Sequence, residues 1–283
     1  MSQSTISSEI HGKEKIYAMY FSPCGNVKKI VTHIAQTISD DYKIPYTSID
    51  CTMPEERTKD YVFDKNALLI IGFPVYAGRI PNKIMPFVRD HIHGSQCVAI
   101  PVVSFGNRNY DNALSELDYL LTENGFLIAG GAAIVSQHSF SSCLAPGRPD
   151  QKDMEDLSDF AHKISEKMSC TSDFHAVNLP GENPPEKYYV PLGVDGKPAK
   201  FLKAVPILDK TLCTQCGKCA SVCPMNSIHP KEAYETTSIC IKCHACIHIC
   251  PTKARCFQDE AFLSHKKMLE MNFSERKESV YFL

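Results

Sequence analysis

The chain has 283 residues, 43% hydrophobic and 22% charged, with a net charge of −2 and no tryptophan. That mixture fits a globular protein with a buried core, and so small a charge gives no global case for nucleic acid or an anionic membrane as partner. Fourteen cysteines, an N-terminus without an apolar signal core and no apolar run near the ~18 residues of a bilayer span exclude an exported disulfide scaffold and point to metal or redox work in a reducing cytoplasm.

Over the first 170 residues, short β-rich runs alternate with helical patterns. "KIYAMYF" (15–21), "YTSID" (46–50), "ALLIIG" (67–72), "QCVAIPVVSFG" (96–106) and "FLIAGGAAIV" (126–135) read as five strands. Several are continuous apolar runs, as a sheet buried on both faces requires. Helices are expected at about 26–40, 55–63, 81–93, 111–125 and 150–168. Alternation of this kind implies a doubly wound parallel sheet. From 170 to 206 the pattern gives way to "NLPGENPPEKYYVPLGVDGKP", a Pro- and Gly-rich linker whose "VDGK" suits a hairpin turn.

An internal repeat follows. "CTQCGKCASVCP" (213–224) recurs 27 residues later as "CIKCHACIHICP" (240–251). Each has the form C-x2-C-x2-C-x3-C-P, the bacterial iron–sulfur spacing, in which a tight loop supplies three thiolates and the fourth cysteine serves the companion cluster. One cluster is therefore expected on Cys213, Cys216, Cys219 and Cys250, and the other on Cys240, Cys243, Cys246 and Cys223. Zinc knuckles use two cysteine pairs, and a cytosolic chain has little use for four disulfides. The region 207–258 resembles a bacterial-type 2[4Fe-4S] ferredoxin, a small α+β domain. It carries 6 Lys and Arg against 3 Asp and Glu, whereas residues 1–206 carry 20 against 24. His244 and His248, beside these cysteines, read as solvated surface residues. A helical tail is expected over 259–283.

Strand one runs into "YFSPCGNVKKI" (20–30), a short turn that offers backbone N–H groups and a helix N-terminus to a phosphate. Two more loops follow strands three and four, "GFPVYAGRIP" and "SFGNRNYDNAL". This stretch resembles flavodoxin, with its five-stranded 2-1-3-4-5 sheet and FMN at the carboxyl edge. The resemblance implies FMN contacts from Ser22, Pro23, Cys24, Gly25, Asn26 and Val27 in the phosphate loop. It implies further contacts from Pro74, Val75, Tyr76, Ala77 and Gly78, and from Ser104, Phe105, Gly106, Asn107, Asn109 and Tyr110. Cys24 and Val27 stand where flavodoxins usually have threonines, leaving the backbone to hold the phosphate. With no tryptophan to stack on the ring, Tyr76 and Tyr110 are the candidates. Cys51, Cys97, Cys170 and Cys256 read as small buried or incidental thiols, His91 and His93 as solvated, and Arg148 as either a cofactor contact or a brace for the helix at 150–168.

The expected organisation is a flavodoxin-like FMN domain over 15–169, a linker over 170–206, a 2[4Fe-4S] domain over 207–258 and the tail. It is similar to the fused flavodoxin–ferredoxin electron-transfer proteins of anaerobic prokaryotes, which implies a low-potential carrier with protein redox partners. A flavin-dependent reductase of a small acceptor, fed by its clusters, is the alternative. No G-x-G-x-x-G fingerprint supports a dedicated NAD(P)H site, and no basic helix or DNA-binding motif supports a redox sensor. The oligomeric state is not encoded in any of these motifs.

Overall fold

The computed structural model describes residues 13–170, 177, 179–182, 185 and 187–283. Strand β1 (Lys15–Tyr20) leads through a turn into α1 (Asn26–Tyr42), and β2 (Tyr46–Asp50) follows. Next come β3 (Tyr61–Phe63), β4 (Ala67–Pro74), α2 (Met85–His91), β5 (Ile92–Gly94), β6 (Cys97–Phe105) and α3 (Ala113–Glu123). β7 (Phe126–Ile128), β8 (Gly131–Val135) and α4 (Gln151–Cys170) complete the N-terminal domain. The central strands run β2-β1-β4-β6-β8, all parallel, which is the expected 2-1-3-4-5 order.

Alternate residues of each strand enter two separate cores. Ile16, Leu68, Ile70 and Ile100 pack under α1 and α4, whose Ile30, Ile34, Phe160 and Ile164 face them. Met19, Leu69, Ile71 and Phe73 pack under α2 and α3. Burial of one such side chain is worth ~1.5–3 kcal/mol, so neither face tolerates polar alternation. Glycine at 72 sets how close α1 approaches. A Cβ there would stand 2.4 Å from Val31 Cγ2 and 2.9 Å from Val27 Cγ1.

Three elements differ from expectation. Instead of a helix over 55–63 there is a five-residue 3₁₀ turn, Pro54–Thr58, and then β3, which pairs in parallel with β5. The β-favouring run Tyr-Val-Phe wins once β5 offers an edge. The expected helix at 81–93 contracts to α2, its last residues passing into β5 and residues 81–84 forming a turn. The fifth strand is broken into β7 and β8, both on β6. At the break, a Cβ on Gly130 would stand 2.6 Å from Ile164 Cδ1 and 2.7 Å from the Phe282 carbonyl oxygen.

The C-terminal module begins with β9 (Ile207–Leu208), followed by α5 (Lys218–Ser221), α6 (Ala245–His248) and β10 (Arg255–Cys256), which pairs antiparallel with β9. The sequence repeat is also a backbone repeat. Gln215 and Lys242 (φ 57° and 59°), Gly217 and His244 (71° and 66°), and Asn226 and Lys253 (48° and 54°) are left-handed at matching positions. In the tail, α7 (Glu260–Asn272) is capped by Asp259, whose carboxylate accepts from Phe262 N at 2.8 Å. The tail is not helical to its end: β11 (Val280–Phe282) adds an antiparallel sixth strand to the main sheet, beside β8. Among the described residues no helix is long and apolar enough to cross a membrane.

Candidate functional site

The eight motif cysteines divide between two small cavities. Cys213, Cys216, Cys219 and Cys250 line one, and Cys223, Cys240, Cys243 and Cys246 line the other. The fourth cysteine of each run thus crosses to the companion set, as the spacing demands. Backbone amides point at the sulfurs in matched pairs. Gln215 N and Lys242 N donate to Cys213 and Cys240 Sγ at 3.4 Å, and Ser227 N and Ala254 N donate to Cys223 and Cys250 Sγ at 3.3 Å. Such donors stabilise thiolate charge. The set around Cys240 is the more enclosed, since Cys243 and Cys246 are buried while Cys216 is exposed.

A larger cavity of about 1130 Å³ opens at the carboxyl edge of the sheet. Ser22, Pro23, Cys24, Asn26 and Val27 line it from the first loop, Pro74–Gly78 from the second, and Ser104, Phe105, Gly106 and Asn109 from the third. Gly25 lies behind them at φ 89° and starts α1. Ser22 Oγ accepts from Lys28 N at 2.9 Å, leaving the earlier amides of the helix N-terminus free of intrahelical partners. In the second loop Ala77 and Gly78 (φ 49° and 78°) form a two-residue turn, closed by Tyr76 N donating to Arg79 O at 2.8 Å.

Two expected contacts lie elsewhere. The Asn107 side chain is buried and donates to the Phe273 and Glu275 carbonyls at 2.6 and 2.8 Å, so it anchors the tail. Tyr110 leans on Phe105, with ring centroids 5.6 Å apart, and does not line the cavity. The two departures from the threonine pattern have physical reasons. Val27 is buried between α1 and the sheet. Cys24 reaches across the junction, where its Sγ donates to Cys243 O at 3.0 Å.

The sequence 205–251 matches the family model described as a 4Fe-4S dicluster domain. The strands of the N-terminal domain stand in flavodoxin order. The chain joins a flavodoxin-like fold to a 4Fe-4S dicluster module. Solved structures similar to it include a flavodoxin from the domain Archaea, at 18% identity over 54% of this chain and 98% of that one, TM-score 0.38. Others are oxidised flavodoxin 2 from Bacillus cereus (22%, 54% and 99%, TM-score 0.41) and the apo form of the NADH:FMN oxidoreductase EmoB (15%, 58% and 95%, TM-score 0.40). No curated protein matches the chain.

The dicluster module is docked on the flavodoxin-like domain beside the large cavity. Ile239, Cys240, Ile241 and Lys242 line that cavity and the second cysteine cavity alike. Arg57 donates to Pro224 O, and Asn226 Nδ2 donates to Glu55 Oε1 at 3.2 Å. His248 Nε2 donates to Ser139 O at 3.0 Å. His244 is not a solvated residue: it is 6% exposed and its ring stacks on Phe140 (4.7 Å) and Phe257 (5.0 Å). Tyr76 lines the large cavity together with Cys24 and Cys240. Burial, with the thiols of Cys243, Cys24 and Cys240 nearby, holds its phenol protonated well above the ordinary range.

Several lining residues were not anticipated. Tyr188, Tyr189 and residues 199–205 bring the linker over the cavity, and His138 and His265 line it from the loop after β8 and from α7. Burial pushes His138 down to about 4, helped by His265 and Arg108, so its ring is neutral at pH 7. A hairpin at "VDGK" did signal that the linker is ordered: Gly193 N donates to Lys197 O at 2.8 Å. Arg148 braces α4 through a buried ion pair with Asp153 and donates to Lys277 O in the tail. Of the incidental thiols, Cys51 and Cys97 are buried and Cys170 and Cys256 exposed, while His91 pairs with Asp60 at 2.7 Å.

Proposed function

We propose that the protein is a low-potential electron carrier of a reducing cytoplasm, holding FMN in the large cavity and one [4Fe-4S] cluster on each cysteine set. The observation that carries this reading is the wall formed by Cys240 and its neighbours, which belongs both to the large cavity and to the second cysteine cavity. A shared wall brings the two proposed cofactor positions side by side, as electron transfer between them requires.

The residues fit the groups. Ser22, the left-handed Gly25 and the α1 N-terminus form an anion-binding turn. Tyr76 offers an aromatic face between that cavity and Cys240, and the neutral phenol adds no competing charge. Ile239 and the half-buried Ile241 give the shared wall apolar side chains beside Cys240. Cys24 and Arg57 hold the module in place through Cys243 O and Pro224 O. When bound, a flavin exchanges one or two electrons and each cluster exchanges one, so the chain converts between the two modes. The set containing exposed Cys216 faces outward, and it is there that protein redox partners give or take electrons.

The test is anaerobic reconstitution with iron, sulfide and FMN, followed by reductive titration. About eight irons and one flavin per chain, reduced in linked steps, are expected from two four-iron clusters. Eight irons with no flavin uptake would refute the relay.

A further inference from the structure

Resting on the FMN reading, we infer that the large cavity has a second subsite that takes a small organic acid with an aromatic or conjugated body. Three observations carry this. The first is size. The cavity measures about 1130 Å³, whereas ~300–1,000 Å³ suffices for one drug-sized ligand, and FMN is of that class.

The second is the wall supplied by the linker. Tyr188, Tyr189 and Phe201 add an aromatic surface to that of Tyr76 and Phe105 in the flavodoxin-like loops. This wall is fixed in position. Tyr189 N donates to Ala77 O at 2.9 Å, the Arg108 guanidinium lies 3.7 Å from the Tyr189 ring centre, and Lys242 Nζ donates to Leu202 O at 2.8 Å. A flat conjugated body is the shape such a surface receives.

The third is charge. Lys83, Lys200, Lys203 and Lys242 line the cavity beside Arg108, which is ion-paired with Asp111, and no aspartate or glutamate is among its described lining residues, although the chain as a whole carries −2. Lys83, Lys200 and Lys203 stand away from both the 22–27 turn and the cysteine motifs, so neither the phosphate position nor a cluster accounts for them. A carboxylate does. Two imidazoles add hydrogen-bonding capacity. His138 Nδ1 accepts from Phe140 N at 3.1 Å, which leaves Nε2–H as a donor. His265 Nδ1 donates to Leu192 O at 2.8 Å, which leaves Nε2 as an acceptor.

Calorimetric titration of the reconstituted full chain with cinnamate, and with cinnamamide as its uncharged counterpart, tests the assignment. Cinnamate should bind one to one and at least about fivefold tighter than cinnamamide, as expected for an anion meeting several partly exposed cations. Lys200→Glu with Lys203→Glu should erase that preference while iron and flavin content stay unchanged. The subsite is refuted if cinnamate fails to bind, if both probes bind equally, or if the double variant keeps the preference. FMN uptake is read separately on the same samples. A chain that takes no FMN yet prefers cinnamate overturns the flavin reading and leaves the anion subsite standing. A chain that takes FMN and ignores cinnamate does the reverse.

Discussion

Replacing Gly72 by alanine should weaken both the fold and FMN binding, and the geometry gives the size of the effect. The new methyl group would stand 2.4 Å from Val31 Cγ2, where ordinary contact begins at 3.4 Å. Val31 and Val27 are 0% and 3% exposed, so neither can swing aside, and α1 must move by about 1 Å. Overpacking of this kind costs ~1–3 kcal/mol. In a domain of this size that lowers the melting temperature by roughly 2–10 °C. The same movement displaces the first turn of α1, whose amides face the proposed phosphate position. Loss of one charged hydrogen bond, ~1.5–3 kcal/mol, weakens FMN about 10–100-fold. Anaerobic thermal melts by circular dichroism and FMN titration followed by flavin fluorescence measure the two effects. Iron content should not change, because the cysteine sets lie outside this contact. A variant that melts within about 1 °C of the parent and binds FMN equally well would show that α1 is not held by close packing at Gly72.

Cys250→Ser and Cys223→Ser should each halve the iron content, from about eight to about four, with different clusters lost, and paramagnetic resonance of the reduced proteins would distinguish them. Loss of the same cluster in both would break the crossed assignment. Arg57→Ala removes the donor to Pro224 O and should loosen the docked module by ~1.5–3 kcal/mol, giving faster proteolysis of the linker and slower flavin–cluster equilibration at unchanged cofactor content. Equal equilibration rates by stopped flow would mean that this contact does not hold the junction. His138 gives a pH signature. Its unfolded imidazole takes a proton near 6.5, but the folded one resists until about 4, so its contribution to stability is whole above pH 6.5 and is lost as pH falls through that window. The loss reaches ~3 kcal/mol. Urea midpoints should therefore fall more steeply from pH 6.5 to 4 in the parent than in His138→Gln, and parallel slopes would contradict the buried neutral ring.

The sequence determined the iron–sulfur half almost completely, because its chemistry is local. Three cysteines of each set lie within seven residues, and the left-handed positions at Gly217 and His244 are fixed by the same short loops. It also determined the parallel sheet, since strand-length apolar runs such as "ALLIIG" alternate with helical patterns along the chain. Short elements escaped it. β3 and β11 have three residues each, too few for a periodic signal, and exist because β5 and β8 offer unpaired edges. Tyr110 was misplaced because a loop's order along the chain does not say which way its side chains turn. What only the tertiary structure decided is the meeting of the two halves. Cys24 lies 219 residues from Cys243, and neither position carries a mark of the other. Composition marked one hairpin turn in the linker and nothing more, yet the linker becomes a cavity wall once Arg108 and Ala77 are there to hold Tyr189. Contacts between distant segments depend on how whole elements pack, and no local pattern encodes them.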